Sequence, residues 1–267
     1  MISPDKQAAL RSRYNPDGSD LRKMQLRMLD MLKYIDRVCR ENGIKYWLSS
    51  GTCIGAVRHG GFIPWDDDAD IEMLEGDYKR LCKVLKREKS QYVLQSHSTD
   101  REYLAPYAKL RDTKSVLKES HDNDAHYAMR GIYVDIFCLE PSVSRKLTTG
   151  CGVLQIWLFR TSVIRNGFIR RILRAVGYNL LHYVIFPFFS LAGCLERNRL
   201  RHILGSCFGA VRMRDEVSDV VRVPFEDTEL PVPVNVDGYL SRIYGENYNK
   251  IPENPAESHI VKLEISD

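Results

Sequence analysis

With 267 residues, 44% of them hydrophobic and 28% charged, the chain is long and apolar enough to bury a substantial core, which excludes a disordered or fibrous polypeptide. Its seven cysteines are odd in number and form no C-x-x-C pair, which excludes a disulfide framework or a zinc knuckle and leaves each as a small buried hydrophobe. The net charge of +4 hides an asymmetry: residues 141–214 carry +11 and the remainder −7, with no Asp or Glu from Pro141 to Leu195.

In chain order, the first residues are polar and lack the apolar run of a secretion signal, so a reducing cytoplasm is expected. Pro4, Pro16 and Gly18 make residues 1–19 a loose lead-in. Leu21, Met24, Met28, Leu32, Ile35 and Cys39 follow helical spacing and predict a helix from Asp20, as its N-cap, to Glu41, stopped by Asn42-Gly43. A short strand, Ile44–Leu48, turns at Ser49–Thr52 into a short helix ending near His59. Pro64 stiffens the loop Phe62–Trp65. Asp66–Met73 leads into a second strand, and a helix follows over Asp77–Lys89. Strand-like runs at Tyr92–Gln95, Tyr107–Leu110, Ser115–Leu117 and Ile132–Leu139 complete an α+β half: one mixed sheet with flanking helices.

Residues 150–214 lack strand alternation and read as helical. A strand at Val220–Phe225, an extended piece at Pro231 and Pro233, a helix at Asp237–Tyr244 and a tail loop packing back end the chain. The expected organisation is a core over 20–140, a basic, mostly helical insertion over 141–219, and a C-terminal segment over 220–267.

Chemistry concentrates in GTCIGAVRHGGFIPWDDDADIEM, Gly51 to Met73. On a strand, residues i and i+2 share a face, so Asp68 and Asp70 can reach one site. Adjacent carboxylates repel, and hard oxygen donors suit Mg²⁺ or Mn²⁺ better than zinc. Spacing alone leaves a solvated acidic turn equally open. Upstream, Ser50-Gly51-Thr52 lies where a strand runs into a helix start, a place suited to phosphate. Asp135 sits inside the apolar run IYVDIFCL, where an unpaired carboxylate is costly; a third metal ligand is one solution and a solvated edge another.

At these residues the sequence resembles the LicD/fukutin family of nucleotidyltransferase-fold phosphotransferases. Gly51–Ile71 is similar to that family's Gly-Thr-x-x-Gly-x-x-Arg-His…Phe-Ile-Pro-Trp-Asp-Asp-Asp-x-Asp run. The likeness extends to Tyr107–Arg111, to Val134–Ile136, and to Tyr244–Pro252 with His259. The resemblance implies a nucleotidyltransferase-like mixed sheet. Ser50, Gly51 and Thr52 would meet the nucleotide's phosphates; Asp68, Asp70 and Asp135 would hold Mg²⁺ or Mn²⁺; Asp66 and Asp67 would orient the loop. It implies transfer of a substituted phosphate, such as phosphocholine, from a CDP-alcohol donor such as CDP-choline to a glycan or lipid-linked glycan hydroxyl in cell-surface polysaccharide assembly. Asp135 would also accept the hydroxyl proton, with His259 as rival base. Arg58, Lys109 and Arg111 are candidates for phosphate contacts. Trp65 would stack on the cytosine or a choline head group, or simply pack the loop. Two other readings remain: a nucleotidyltransferase moving NMP to a sugar or alcohol, and a non-catalytic membrane-surface binding protein.

Residues 175–195 hold 21 positions without a charge, flanked by arginines. That length spans a bilayer, but a single crossing would separate Asp135 from the Tyr244–His259 region. The alternatives are a buried helix or one lying on an anionic membrane at the inner face. No nucleic-acid-binding motif is present, and no nucleic-acid partner is expected.

Overall fold

The computed structural model describes residues 1–119, 126–196, 198–206, 208–253, 255 and 260–266. In chain order these form α1 (Pro4–Tyr14), α2 (Asp20–Glu41), β1 (Trp47–Leu48), α3 (Ser50–Ile54, continued by a π-helical turn, Gly55–His59), β2 (Asp70–Leu74) and α4 (Glu75–Leu85). Then come β3 (Tyr92–Gln95), β4 (Ala108–Asp112), β5 (Ser115–Glu119) and β6 (Tyr133–Pro141). The basic stretch supplies α5 (Arg145–Arg160), α6 (Gly167–Leu180), a π-helical turn (Leu181–Ile185), α7 (Phe186–Ser190), β7 (Arg199–His202) and β8 (Arg212–Met213). Last come β9 (Val220–Phe225), β10 (Thr228–Pro233), α8 (Val236–Tyr244) and β11 (Ile260–Ile265).

The mixed α+β architecture expected from the sequence is present. Its sheet is organised by β6, whose first seven residues are all buried. β2 runs parallel along one edge, from Asp70 opposite Asp135 to Leu74 opposite Leu139. The other edge is shared: β4 pairs antiparallel with Tyr133–Ile136, and β7 with Leu139–Pro141. β1 flanks β2, β3 flanks β4, and β8 flanks β7. Because side chains alternate across a sheet, Asp70, Asp135 and Lys109, aligned in register, lie on one face. Ile71, Val134 and Ile136 lie on the other face and are buried in the main apolar core, to which α2 contributes Met28, Leu32 and Ile35.

Several expectations are corrected. The lead-in is a helix: Ser3 caps α1, and Pro4 stands at the helix start, where its missing N–H costs nothing. Ser19, not Asp20, caps α2 by accepting from Arg22 N. β2 starts at Asp70, so Asp68 belongs to the preceding loop. The stretch 150–214 is helical only to Leu195; β7 and β8 then join the main sheet. These strands were hidden because Arg201, His202 and Arg212 break the apolar signature yet are all buried. The tail is also a strand, with β11 antiparallel to β5.

The helices α5–α7 build a second, smaller core with Leu158, Tyr178, Leu181 and Phe186, joined by Leu104 and Leu204 from outside the helical stretch. Tyr178 is sandwiched between His97 and His182, at centroid distances of 3.5 and 4.0 Å.

Candidate active site

A cleft of about 530 Å³ opens on the β2–β6 face. Of the residues expected at a site, Ser50, Gly51, Asp68, Asp70 and Asp135 line it, and so does Asp66. The backbone is fitted closely here. Ser50 adopts φ +50°, one of two described non-glycine residues with positive φ, and such strain is common at functional positions. A Cβ on Gly51 would stand 2.9 Å from Asp66 Oδ2, so any larger residue would push that carboxylate aside. Thr52 lies behind the cleft rather than in it. Its Oγ1 accepts from Asp70 N at 2.9 Å and fixes where β2 begins. Gln25 of α2 ties down the loop, donating to Ile63 O at 3.1 Å and Asp66 O at 2.9 Å.

The carboxylates are crowded. Burial, then Asp68 and Asp67, push the Asp66 carboxyl well above its ordinary range, against a smaller pull from Arg58. Burial likewise raises Asp70, with Asp68, Asp135 and Asp66 adding to it and Lys109 opposing. Asp66 Oδ2 is buried without a hydrogen-bond partner. This is a set of hard oxygen donors short of positive charge, and it fits Mg²⁺ or Mn²⁺ in chemistry. Among the described residues, however, no three carboxylate, histidine or cysteine side chains already converge as a metal centre. Asp135 is paired with Lys109, whose Nζ is 2.7 Å from Asp135 Oδ1 and 3.4 Å above the Tyr133 ring.

The expected phosphate contacts are rearranged. Lys109 faces Asp135. Arg58 is buried outside the cleft: its Nε donates to His59 Nε2 at 2.8 Å, and its Nη1 to the carbonyls of Tyr248 and Lys250. It therefore clamps the C-terminal segment. Arg111 donates to Gln95 Oε1 and Gly131 O, both at 2.8 Å, and stacks over Tyr133. Trp65 packs edge-on against Tyr14 and His59, which is the loop-packing alternative. His259 lies outside the described residues.

Other cleft residues escaped the sequence reading. Phe137, two residues beyond Asp135 on the same strand face, was within reach of the alternation rule. Tyr244 was noticed only as part of a motif; burial pushes its hydroxyl up to about 12, and Asp70, Asp66 and Asp68 add to the shift. His202 and Arg212 arrive on β7 and β8. Both bind Glu72, which is fully buried two residues after Asp70 and also accepts from Tyr239 Oη at 2.8 Å and Trp47 Nε1 at 3.3 Å. Burial alone would raise Glu72, but Arg212 and His202 outweigh it and hold the carboxyl well below its usual range. Burial, then Arg212, keep His202 neutral, so its Nε2–H donates to Glu72 Oε1 at 2.6 Å. A second cavity, about 620 Å³, is lined by Arg145, Arg199 and Arg201 and shares Gly209 with the cleft.

Comparison with known proteins adds identity to this geometry. Residues 43–149 match the family described as LicD/FKTN/FKRP, nucleotidyltransferase domain. The lipopolysaccharide cholinephosphotransferase LicD of Haemophilus influenzae is 24% identical over 266 residues, covering 91% of this chain and 96% of that protein. The ribitol 5-phosphate transferase FKRP of Homo sapiens is 46% identical over 39 residues, 15% of this chain and 8% of its own. The ribitol-5-phosphate transferase FKTN of Mus musculus is 31% identical over 75 residues, 28% of this chain and 16% of its own.

Proposed function

We propose that this chain, whose residues 43–149 match the LicD/FKTN/FKRP nucleotidyltransferase domain, transfers a substituted phosphate, of the phosphocholine type, from a CDP-alcohol to a glycan hydroxyl. The observation that carries this reading is the register of Asp70 with Asp135 across β2 and β6, beside Asp68 and the Ser50-Gly51 turn in one cleft. A divalent cation, Mg²⁺ or Mn²⁺, held by Asp68, Asp70 and Asp135 would neutralise the donor's diphosphate. Ser50 and Gly51 border the donor's phosphates at the cleft wall. Asp135, oriented by Lys109, takes the proton of the attacking hydroxyl as it bonds to phosphorus and CMP leaves. Tyr244, its hydroxyl raised to about 12 by burial, lines the same cleft beside Ser50 and offers a hydrogen-bond donor there. The relatives named for cholinephosphate and ribitol phosphate transfer support this reaction class. Free cysteines at positions 39, 53, 82, 138 and 151 fit a reducing, cytoplasmic setting.

The test is a panel of CDP-alcohols incubated with the protein, Mg²⁺ and a polysaccharide acceptor. CMP release with the phospho-alcohol on the glycan is the expected result. Pyrophosphate release from a nucleoside triphosphate and a sugar phosphate, with no CMP from any CDP-alcohol, would identify a nucleotidyltransferase instead.

A further inference from the structure

We infer that the hairpin α5–α7 is a monotopic anchor lying in the surface of an anionic lipid bilayer. Among the described residues, sixteen of the twenty-three exposed large hydrophobic side chains fall between Val153 and Leu195, so apolar exposure is concentrated here rather than scattered. They form one face. Phe168, Ile172, Val176, Leu180 and Val184 recur every four residues and are exposed, while Tyr178, Leu181 and Phe186 turn inward to the small core. On α5, Trp157 is 67% exposed beside buried Leu158. Exposed Arg145, Lys146, Arg160, Arg165 and Arg171 lie in the same stretch, which has no acidic residue.

Topology decides between lying in a membrane and crossing it. Gly167–Gly193 is long and apolar enough to cross. Yet the chain leaves the sheet at the end of β6 and returns in β7, which pairs with that same end, Leu139 opposite His202. Both ends of the hairpin are therefore on one side. A crossing by both arms fails on length, since the 16 residues of α5 span only about 24 Å against roughly 30 Å of hydrocarbon. Charge decides the occupant. A second copy docking through this face would set arginines against arginines, because a two-fold contact matches a patch with itself. Anionic lipid complements both the charge and the apolar stripe.

One corollary concerns the acceptor and rests on the transfer reading; the docking does not. The cavity lined by Arg145, Arg199 and Arg201, with Glu196, lies at the start of α5 and shares its Gly209 wall with the carboxylate cleft. A lipid-linked acceptor would thus reach the carboxylates while its carrier stays in the bilayer.

The experiment uses the full chain with vesicles of phosphatidylglycerol and phosphatidylcholine, some with brominated acyl chains. Trp47 is fully buried and Trp65 packed, so Trp157 reports insertion. Expected are co-sedimentation with the anionic vesicles but not with pure phosphatidylcholine, and quenching by brominated lipid that Trp157→Phe removes without weakening binding. Arg160→Glu, Arg165→Glu and Arg171→Glu together should weaken binding at least about tenfold. Protein left in the supernatant at low salt, binding without quenching, or a dimer by light scattering that shields Trp157 would each overturn the proposal. CDP-alcohol turnover without vesicles is read separately, so failure of docking and failure of the transfer reading give different results.

Discussion

The carboxylate cleft and the helical hairpin carry opposite imbalances. The cleft gathers Asp66, Asp68, Asp70 and Asp135 and raises Asp66 and Asp70 by burial and mutual repulsion. The hairpin gathers arginines and leaves its apolar face in water. Each region gives up stability for a partner of the opposite character, a cation in one case and an anionic surface in the other. Glu72 shows that the sheet is able to bury a carboxylate stably two residues from Asp70, when Arg212, His202, Tyr239 and Trp47 surround it.

That contrast is open to direct test. Asp70→Asn and Asp135→Asn should each lower turnover by about 10³-fold while the metal-free protein melts no lower than the parent. A large fall in melting temperature would make the cleft structural instead. Glu72→Ala should do the reverse, costing about 3–5 kcal/mol in urea unfolding because Arg212 is left buried without its partner. Mg²⁺ or Mn²⁺ at about a hundredfold above its dissociation constant should raise the parent's melting temperature by roughly 5 °C and leave Asp70→Asn unmoved.

Acid should loosen the hairpin. Burial, then His97, lower the His182 pKa from 6.5 to about 3, and its ring bonds Gln155 Oε1 at 2.9 Å. The unfolded chain therefore binds this proton more readily. The stabilisation is complete above 6.5 and is lost as pH falls from 6.5 toward 3. Amide hydrogen exchange over residues 145–195 should accelerate through that window, and His182→Gln should flatten the dependence. The smallest effect is expected at Arg58→Ala, which removes the clamp on Tyr248 and Lys250. It should cost about 1 kcal/mol and leave the cleft chemistry intact, as CMP release at saturating donor would show.

What was legible in the sequence was local. The α2 helix announced itself by its three–four spacing, β6 by its apolar run, and the cleft's acids by the run from Gly51 to Met73. The roles of Arg58, Lys109 and Arg111 were not legible, because a motif records residue types and not the direction of long side chains. Arg58 turned to the C-terminal carbonyls, Arg111 to Gly131, and Lys109 to Asp135. β7 and β8 were hidden because buried Arg and His look like solvent-facing residues until their acidic partner, far away in the chain, is known.

The sequence by itself determined the acids, the glycine of the turn beside them, and a basic stretch unlike the rest of the chain, since composition and short-range spacing are local properties. Tertiary structure alone decided three things. Register across β2, β4 and β6 put Asp70, Asp135 and Lys109 side by side. Return of the chain through β7 put both ends of the hairpin on one side. Pairing over more than a hundred residues made Glu72 a stable buried anion and left its neighbour Asp70 short of positive charge. Each depends on which strand lies beside which, and that is set by the packing of the whole core rather than by any one segment.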